Sequence, residues 1–431
     1  LIRTIRQNER DVLDEMLKRL EARAVAFDPD LMKEISSIIE DVRQRGDDAL
    51  IDYTARFDGV ELRASDLRLD GQTLKASADK VDPRVLGAVR EAIKNVRTFH
   101  ERQLEQSWEI SPADGVRLGQ RITPLERVGL YVPGGTAAYP SSVVMNVVPA
   151  QVAGVERIIV ATPPRTLAES PAVAAVLREL NINEVYAVGG AQAIAALAFG
   201  TPTVPRVDKI TGPGNKYVAG AKKLVFGVVG IDAIAGPSEV VIIADDTARA
   251  DFVAADLLAQ AEHGEDASAI LITTSETLAA AVAREVQHQL ESLPRRAIAA
   301  ASLESYGAII TVNTIEDACG IANWISPEHL QLVTENDETT ASKIRHAGAI
   351  FFGQYTPEAV GDYLAGPNHV LPTGRTARFS SALGVYDFVK RTSLLRYSSE
   401  AFSRVSDSIA VLAECEGLAA HAKSALIRNQ P

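Results

Sequence analysis

The sequence predicts an α/β protein with largely parallel sheet, on three observations. From about residue 128, short runs rich in Val and Ile alternate with stretches of helical periodicity, as in βαβ units. Glycine and proline punctuate that alternation at Val132-Pro133-Gly134-Gly135 and Ala235-Gly236-Pro237. Residues 8–57 and 83–107 instead interleave charges and apolar residues at spacings of three and four, which marks amphipathic helices.

In chain order, Leu1 to Ala24 alternates Arg3, Arg6, Arg10, Asp11, Asp14, Glu15 and Lys18 with leucines. It reads as a helical arm and lacks the apolar centre of a signal peptide, which fits a cytoplasmic protein, and the missing initiator Met is compatible with a trimmed start. Strands are expected at 157–160, 185–188, 240–243, 270–272, 309–310 and 350–352. Residues 251–263 read as a helix, with Phe252, Ala255, Leu258 and Ala259 recurring and Gly264 just past its end. A further change near 380 opens a helical tail.

Composition excludes several classes. With 44 basic against 56 acidic residues the chain carries −12, which disfavours nonspecific nucleic-acid binding. No stretch approaches the ~18 consecutive apolar residues of a membrane span. Only Cys319 and Cys415 are present, so neither a disulfide framework nor a thiolate zinc site is available. Cys319 reads as a small buried hydrophobe, and thiol catalysis is disfavoured at both positions.

Candidate metal ligands come from separate segments. Gln260 and His263, three apart on the expected helix, project from one face. Asp362 follows Gly361, and His421 shares a helical stripe with Leu418, Ala422 and Ala425. Each has an ordinary reading: a polar helix end, a glycine turn, a satisfied core histidine. Together, two imidazoles, a carboxylate and a neutral amide would leave zinc net positive and open to substrate nitrogen or oxygen. His100, His288 and His346 lie in charged segments and read as solvated surface.

Pro327-Glu328-His329 follows a helical stretch and suggests a new first helical turn, in which Glu328 meets the positive end. As a functional pair, His329 would take a proton from an alcohol and Glu328 would activate water. Three glycine turns offer a nucleotide-sized site: Tyr131 to Gly135, Gly189-Gly190-Ala191-Gln192, and Gly212-Pro213-Gly214-Asn215. The last two open expected helices whose amides can face a pyrophosphate, although none is the G-x-G-x-x-G fingerprint.

Nearly end to end, the chain resembles the histidinol dehydrogenase family. The most specific stretch runs from Ile231-Asp232 through Ala235-Gly236-Pro237-Ser238-Glu239 to Gln260-Ala261-Glu262-His263. Ser326-Pro327-Glu328-His329-Leu330, Gly361-Asp362-Tyr363 and 366–373 support it. The resemblance implies two Rossmann-like parallel-sheet domains, as in aldehyde and histidinol dehydrogenases, with small helical elements at both ends. The expected division is a helical arm at 1–24 and a main domain of 25–130 plus 238–380 carrying the zinc and base residues. A second domain at 131–237 would hold the nucleotide turns, and 381–431 would be a helical tail.

It further implies that Gln260, His263, Asp362 and His421 bind one zinc ion per subunit, with Glu328 and His329 as acid/base residues. Ser238, His369 and Glu416 would touch the substrate together with those six, and Tyr131, Gln192 and Asn215 would hold NAD. The implied reaction is four-electron oxidation of L-histidinol to L-histidine through an enzyme-held aldehyde, the last steps of histidine biosynthesis. The implied assembly is a homodimer in which the tail completes the partner's site. Ala250 and Ala259 stand where the family commonly shows Pro and Ser. Rival readings are a zinc/NAD dehydrogenase acting on another alcohol such as a sulfonated diol, a zinc hydrolase, and a non-catalytic binding protein.

Overall fold

The computed structural model describes residues 2–23, 28–134 and 139–429. Leu1 and Ala24 of the expected arm, and Gly135 of the first glycine turn, lie outside them. Two parallel sheets carry the chain. One has six strands in the order Arg3–Arg6, Ala308–Thr311, Ser268–Thr273, Glu239–Ala244, His329–Val333 and Ala349–Phe352. The other has five, ordered Glu184–Ala187, Arg157–Thr162, Arg127–Tyr131, Lys209–Thr211 and Gly230–Ile231. All six expected apolar runs are strands of these sheets.

Their sequences explain why both faces are covered. Glu239–Ala244 is buried at every position, and its alternate residues serve two cores. Val240 and Ile242 pack under Ala250–Ala261, Glu276–Leu290 and Arg296–Tyr306, whereas Val241 and Ile243 meet Leu13, Met16 and Leu20 of Arg10–Arg23. The five-stranded sheet is sandwiched in the same way.

Several expectations are corrected here. The arm opens as a strand: Arg3–Arg6 pairs in parallel with Ala308–Thr311, so the N-terminus is an edge of the six-stranded sheet. Helices Pro29–Arg45 and Asp47–Asp58 do not join the main domain; Ile35, Ile38, Val42 and Leu50 share a core with Ile159, Tyr186 and Ile210 of the other sheet. Helix Pro83–Glu101 behaves likewise through Val96. A boundary at 131 would cut Arg127–Tyr131, the central strand of that sheet. The cause is long-range burial, which local periodicity does not encode. The tail too begins as a strand: Val389–Tyr397 pairs antiparallel with Val116–Pro124, which also pairs with Trp108–Ile110. Only beyond it do the helices Ser399–Ser403, Ser406–Cys415 and Ala419–Leu426 follow.

Of the histidines read as solvated, only His288 is fully exposed; His346 is half-buried in a non-helical segment. His100 is a satisfied core residue: its Nδ1 lies 2.7 Å from the Val96 carbonyl, and its Nε2 lies 3.4 Å from the Asn368 amide nitrogen. The carbonyl only accepts, so Nδ1 carries the proton. Burial holds the His100 pKa below the usual 6.5. The unfolded chain therefore binds the proton more readily, and stability present above about pH 6.5 falls as pH drops toward the folded value, by up to about 1.4 kcal/mol per pH unit. His100→Asn keeps a donor toward Val96 but cannot protonate. Urea titrations between pH 7.5 and 5 should show a shallower decline for this variant, and equal slopes would refute this account.

Candidate functional site

The two sheets present opposite edges to a shared cleft. Tyr131, Thr211 and the turn after Ala187 lie at the carboxyl edge of the five-stranded sheet, the usual ligand edge of such folds. Glu239 and His329 are the first residues of their strands, so the second wall is the amino edge of the six-stranded sheet. Between them lies a cavity of about 510 Å³ lined by Tyr131, Asn215, Ser238, His263, Glu328, His329, Glu358, Asp362 and His369. A second cavity, of about 700 Å³, is lined by Tyr131, Gln192, Asn215, Asp58 and Arg165. Tyr131, Gly134 and Asn215 line both, so the two are contiguous.

Helix Ala250–Ala261 returns from the far end of strand Glu239–Ala244 and stops at the amino edge, which puts Gln260 and His263 at its C-terminal end, the negative end of its dipole. Asp362 is not in a glycine turn. It lies in the short helix Glu358–Tyr363, where residues four apart share a face, so Glu358 and Asp362 point the same way. Ligand atoms of His263, Glu358 and Asp362 all fall within 4.8 Å of one another. Gln260 is fully buried, and with its nitrogen turned toward Glu358 it donates to both carboxylate oxygens, at 3.1 and 3.0 Å.

Pro327 does not start a helix. Helix Ile315–Ile325 ends on Ser326 in the left-handed region (φ 50), and His329 opens a strand hydrogen-bonded to neighbours on both sides. Glu328 therefore meets not a helix dipole but one backbone amide: Glu239 N–H donates to its Oε2 at 2.9 Å. His329 Nδ1 lies 3.1 Å from the Glu239 carbonyl, which again only accepts; Nδ1 is the protonated nitrogen and Nε2 keeps its lone pair. Nε2 is buried, makes no hydrogen bond, and lies 3.8 Å from Asp362 Oδ1. His369 is set in the same way by the Asp362 carbonyl at 3.0 Å.

Electrostatics follow from burial. Desolvation pushes Glu328 well above the usual carboxylate range, assisted by the charges of Glu239 and Asp362. Glu358 rises likewise, through burial and then the charges of Asp362, Glu328 and Asp256. Burial lifts Asp362 to about 7 and Asp256 to about 6. The imidazoles move the other way: burial takes His329 down to about 3 and His369 to about 4, and lowers His263. A largely buried cluster of carboxylates and neutral imidazoles is a poor home for isolated charges but a good one for a divalent cation, which relieves the repulsion and is bound by neutral imidazole and carboxylate oxygen. The residues present fit such an ion.

The second cavity is shaped by its turns. Asn215 caps helix Lys216–Val225, accepting from the amides of Tyr217 and Val218. Gly212 takes φ +109, and a Cβ there would lie 2.2 Å from the Tyr131 carbonyl oxygen, so only glycine permits this approach. Gln192 is buried in the first turn of helix Gly190–Phe199, and the Tyr131 hydroxyl accepts from the Gly190 amide at 3.1 Å.

Glu416 and His421 are not brought to the cleft by their own chain. Glu416 follows helix Ser406–Cys415 and is exposed, and His421 lines a separate hollow with Phe402, Ile409 and Arg428. Cys319 is buried with Sγ 3.8 Å from the Thr340 carbonyl, and Cys415 is exposed; neither lines the cleft. Sequence reasoning missed Glu358, and also the backbone contacts that Glu239 makes with Glu328 and His329. The four-residue spacing from Glu358 to Asp362, just after Pro357, was a signal for the first.

Residues 21–429 match the family model of histidinol dehydrogenase. The chain belongs to that family. It is 55% identical to the histidinol dehydrogenase of Geobacillus kaustophilus over 395 residues, 91% of this chain and 93% of that one. It is 52% identical to that of Neisseria meningitidis serogroup A over 413 residues, 96% of each. The solved structure of histidinol dehydrogenase from Elizabethkingia anophelis superposes with a TM-score of 0.91 at 37% identity, covering 99% of this chain and 98% of that one. The family is one of oxidoreductases, and among the described residues no helix is long and apolar enough to cross a membrane.

Proposed function

We propose that this chain oxidises L-histidinol to L-histidine, a four-electron change that closes histidine biosynthesis, with zinc and NAD. The observation that carries the reading is His329: a neutral imidazole whose tautomer is fixed and whose bare Nε2 lies in the same cavity as Glu328, beside the His263, Glu358 and Asp362 cluster. Gln260, His263 and Asp362, with His421 from a second subunit's tail, would hold one zinc ion per subunit. When bound, zinc supplies a Lewis acid that fixes the imidazole and amino nitrogens of the substrate. Tyr131, Gln192 and Asn215 would seat NAD, and two NAD molecules bound in turn would each supply one two-electron oxidation.

The chain's own residues handle protons and position. His329 Nε2 takes the hydroxyl proton as the alcohol carbon is oxidised. Glu328 then removes a proton from the water that adds to the aldehyde, and His329 relays the proton of the second oxidation. Ser238 and His369 line the substrate cavity, and Glu416, like His421, would come from the second subunit. Exposed Val411, Leu412, Leu418 and Ile427 on the tail favour a homodimer with shared sites, since such a cluster is a natural interface.

The test is stoichiometric. Purified protein given zinc, limiting L-histidinol and excess NAD should form two equivalents of reduced cofactor per substrate, a yield abolished by a chelator. One equivalent with free aldehyde in solution would mean that the second oxidation is wrongly assigned.

A further inference from the structure

The backbone of one residue, Glu239, holds both members of the acid/base pair. Its N–H donates to Glu328 at 2.9 Å, and its C=O accepts from His329 Nδ1 at 3.1 Å. What fixes Glu239 is its own side chain, turned away from the cleft onto Arg23, the last residue of helix Arg10–Arg23. The guanidinium meets the Glu239 carboxylate at 2.5 Å, with only 3% and 6% of the two side chains exposed. The same guanidinium donates to the carbonyls of Ser238 at 3.2 Å and Asp266 at 2.5 Å. Opposite it, Gly374 N–H donates to the same Glu239 oxygen at 3.3 Å, and Gly236 N–H donates to Thr373 Oγ1 at 2.6 Å. The segment entering the strand is thus stapled from two sides.

Stability alone does not account for this pair. A buried ion pair roughly breaks even against a well-packed apolar one, and this one is imperfect: Arg23 Nε and Glu239 Oε2 are buried without partners. We infer that Arg23 and Glu239 are positioning residues, an anchor that sets through the Glu239 main chain where the Glu328 carboxylate sits and which nitrogen of His329 is free. The N-terminal helix, which does not line the substrate cavity and reaches it only through Arg23 on the Ser238 carbonyl, is thereby coupled to proton transfer.

The test replaces the pair as a unit, because removing one partner leaves a buried unpaired charge. Arg23→Met/Glu239→Leu should keep the parent's melting temperature within a few degrees and its zinc content. Its kcat should fall by roughly tenfold or more, as displacement of a reacting group by an ångström or less does, with KM for histidinol within about twofold. The kinetic arm rests on the proposed reaction, and a second arm does not. In protein labelled with 15N-histidine, the His329 ring, assigned by its loss in His329→Asn, should give the Nδ1–H pattern in the parent and a mixed or Nε2–H pattern in the double variant. A folded double variant with parent kcat and parent tautomer would overturn the inference. A changed tautomer in protein that never turns over histidinol would instead overturn the proposed reaction and leave the anchor standing. Should the double variant not fold, Arg23→Lys decides, since it keeps the charge but loses the fork onto Ser238 and Asp266. A several-fold loss of kcat at constant KM is then expected, and parent kcat refutes the anchor.

Discussion

Equal amounts of His263→Ala and His421→Ala, each inactive alone, should regain about a quarter of parent activity once their subunits exchange. His263 lies in the cleft with Glu358 and Asp362, whereas His421 sits in the tail against Phe402, Ile409 and Arg428 and reaches no cleft residue of its own chain. In a two-fold dimer each site takes one cleft and one tail. A mixed dimer therefore has one site broken twice and one site intact, and random exchange makes about half of all dimers mixed, which yields the quarter. The measurement is reduced-cofactor formation before and after exchange, with mixed dimers counted by native mass spectrometry. Mixed dimers without recovered activity would dismiss the shared site, and so would His421→Ala protein that is fully active by itself.

How much of this was legible beforehand depends on whether the cause was local. The strand at 240–243 is apolar on both faces, and only a strand covered on both sides satisfies it, so the sequence shows it directly. Gln260 and His263 are three apart on a helix of clear periodicity, so their shared face was also visible. Helices Pro29–Arg45 and Pro83–Glu101 were recognisable as helices from their spacing. Nothing in that spacing says which sheet they cover, because either would bury the same apolar stripe. The misassigned domain boundary follows from this.

The region around 327–329 failed for a related reason. Proline after a helix fits either a new helical turn or an exit into a strand, and local chemistry does not separate them. Leu330 and Leu332 decide it, since both are fully buried between Glu239–Ala244 and Ala349–Phe352, segments about 90 and 20 residues away in sequence. His100 was misread by the same logic: its neighbours on the helix are charged, and its burial comes from Asn368 and the chain around it.

Glu328 and His329 should separate the two halves of the reaction when changed one at a time. On the proposed mechanism His329→Asn removes the free imidazole nitrogen that would accept the alcohol proton, and kcat should fall by about 10²–10⁴, the range a positioned general base supplies. Asparagine can still donate toward the Glu239 carbonyl, so the strand start and Glu328 should keep their places. Glu328→Gln is different. Its buried carboxyl sits well above the ordinary carboxylate range, held there by desolvation and by the neighbouring carboxylates. Once ionised, it is for that reason a stronger base toward water than an ordinary carboxylate. The glutamine loses that capacity while matching the shape, so the first oxidation should proceed and the hydration of the aldehyde should stall. Rapid mixing of Glu328→Gln protein with histidinol and NAD should show a burst of about one equivalent of reduced cofactor per site and then a slow phase. Added histidinaldehyde should be oxidised as slowly as that second phase. If His329→Asn instead showed the one-equivalent burst and Glu328→Gln showed none, the roles of the two residues would have to be exchanged. Near-parent turnover in both would place the proton chemistry elsewhere in the cleft.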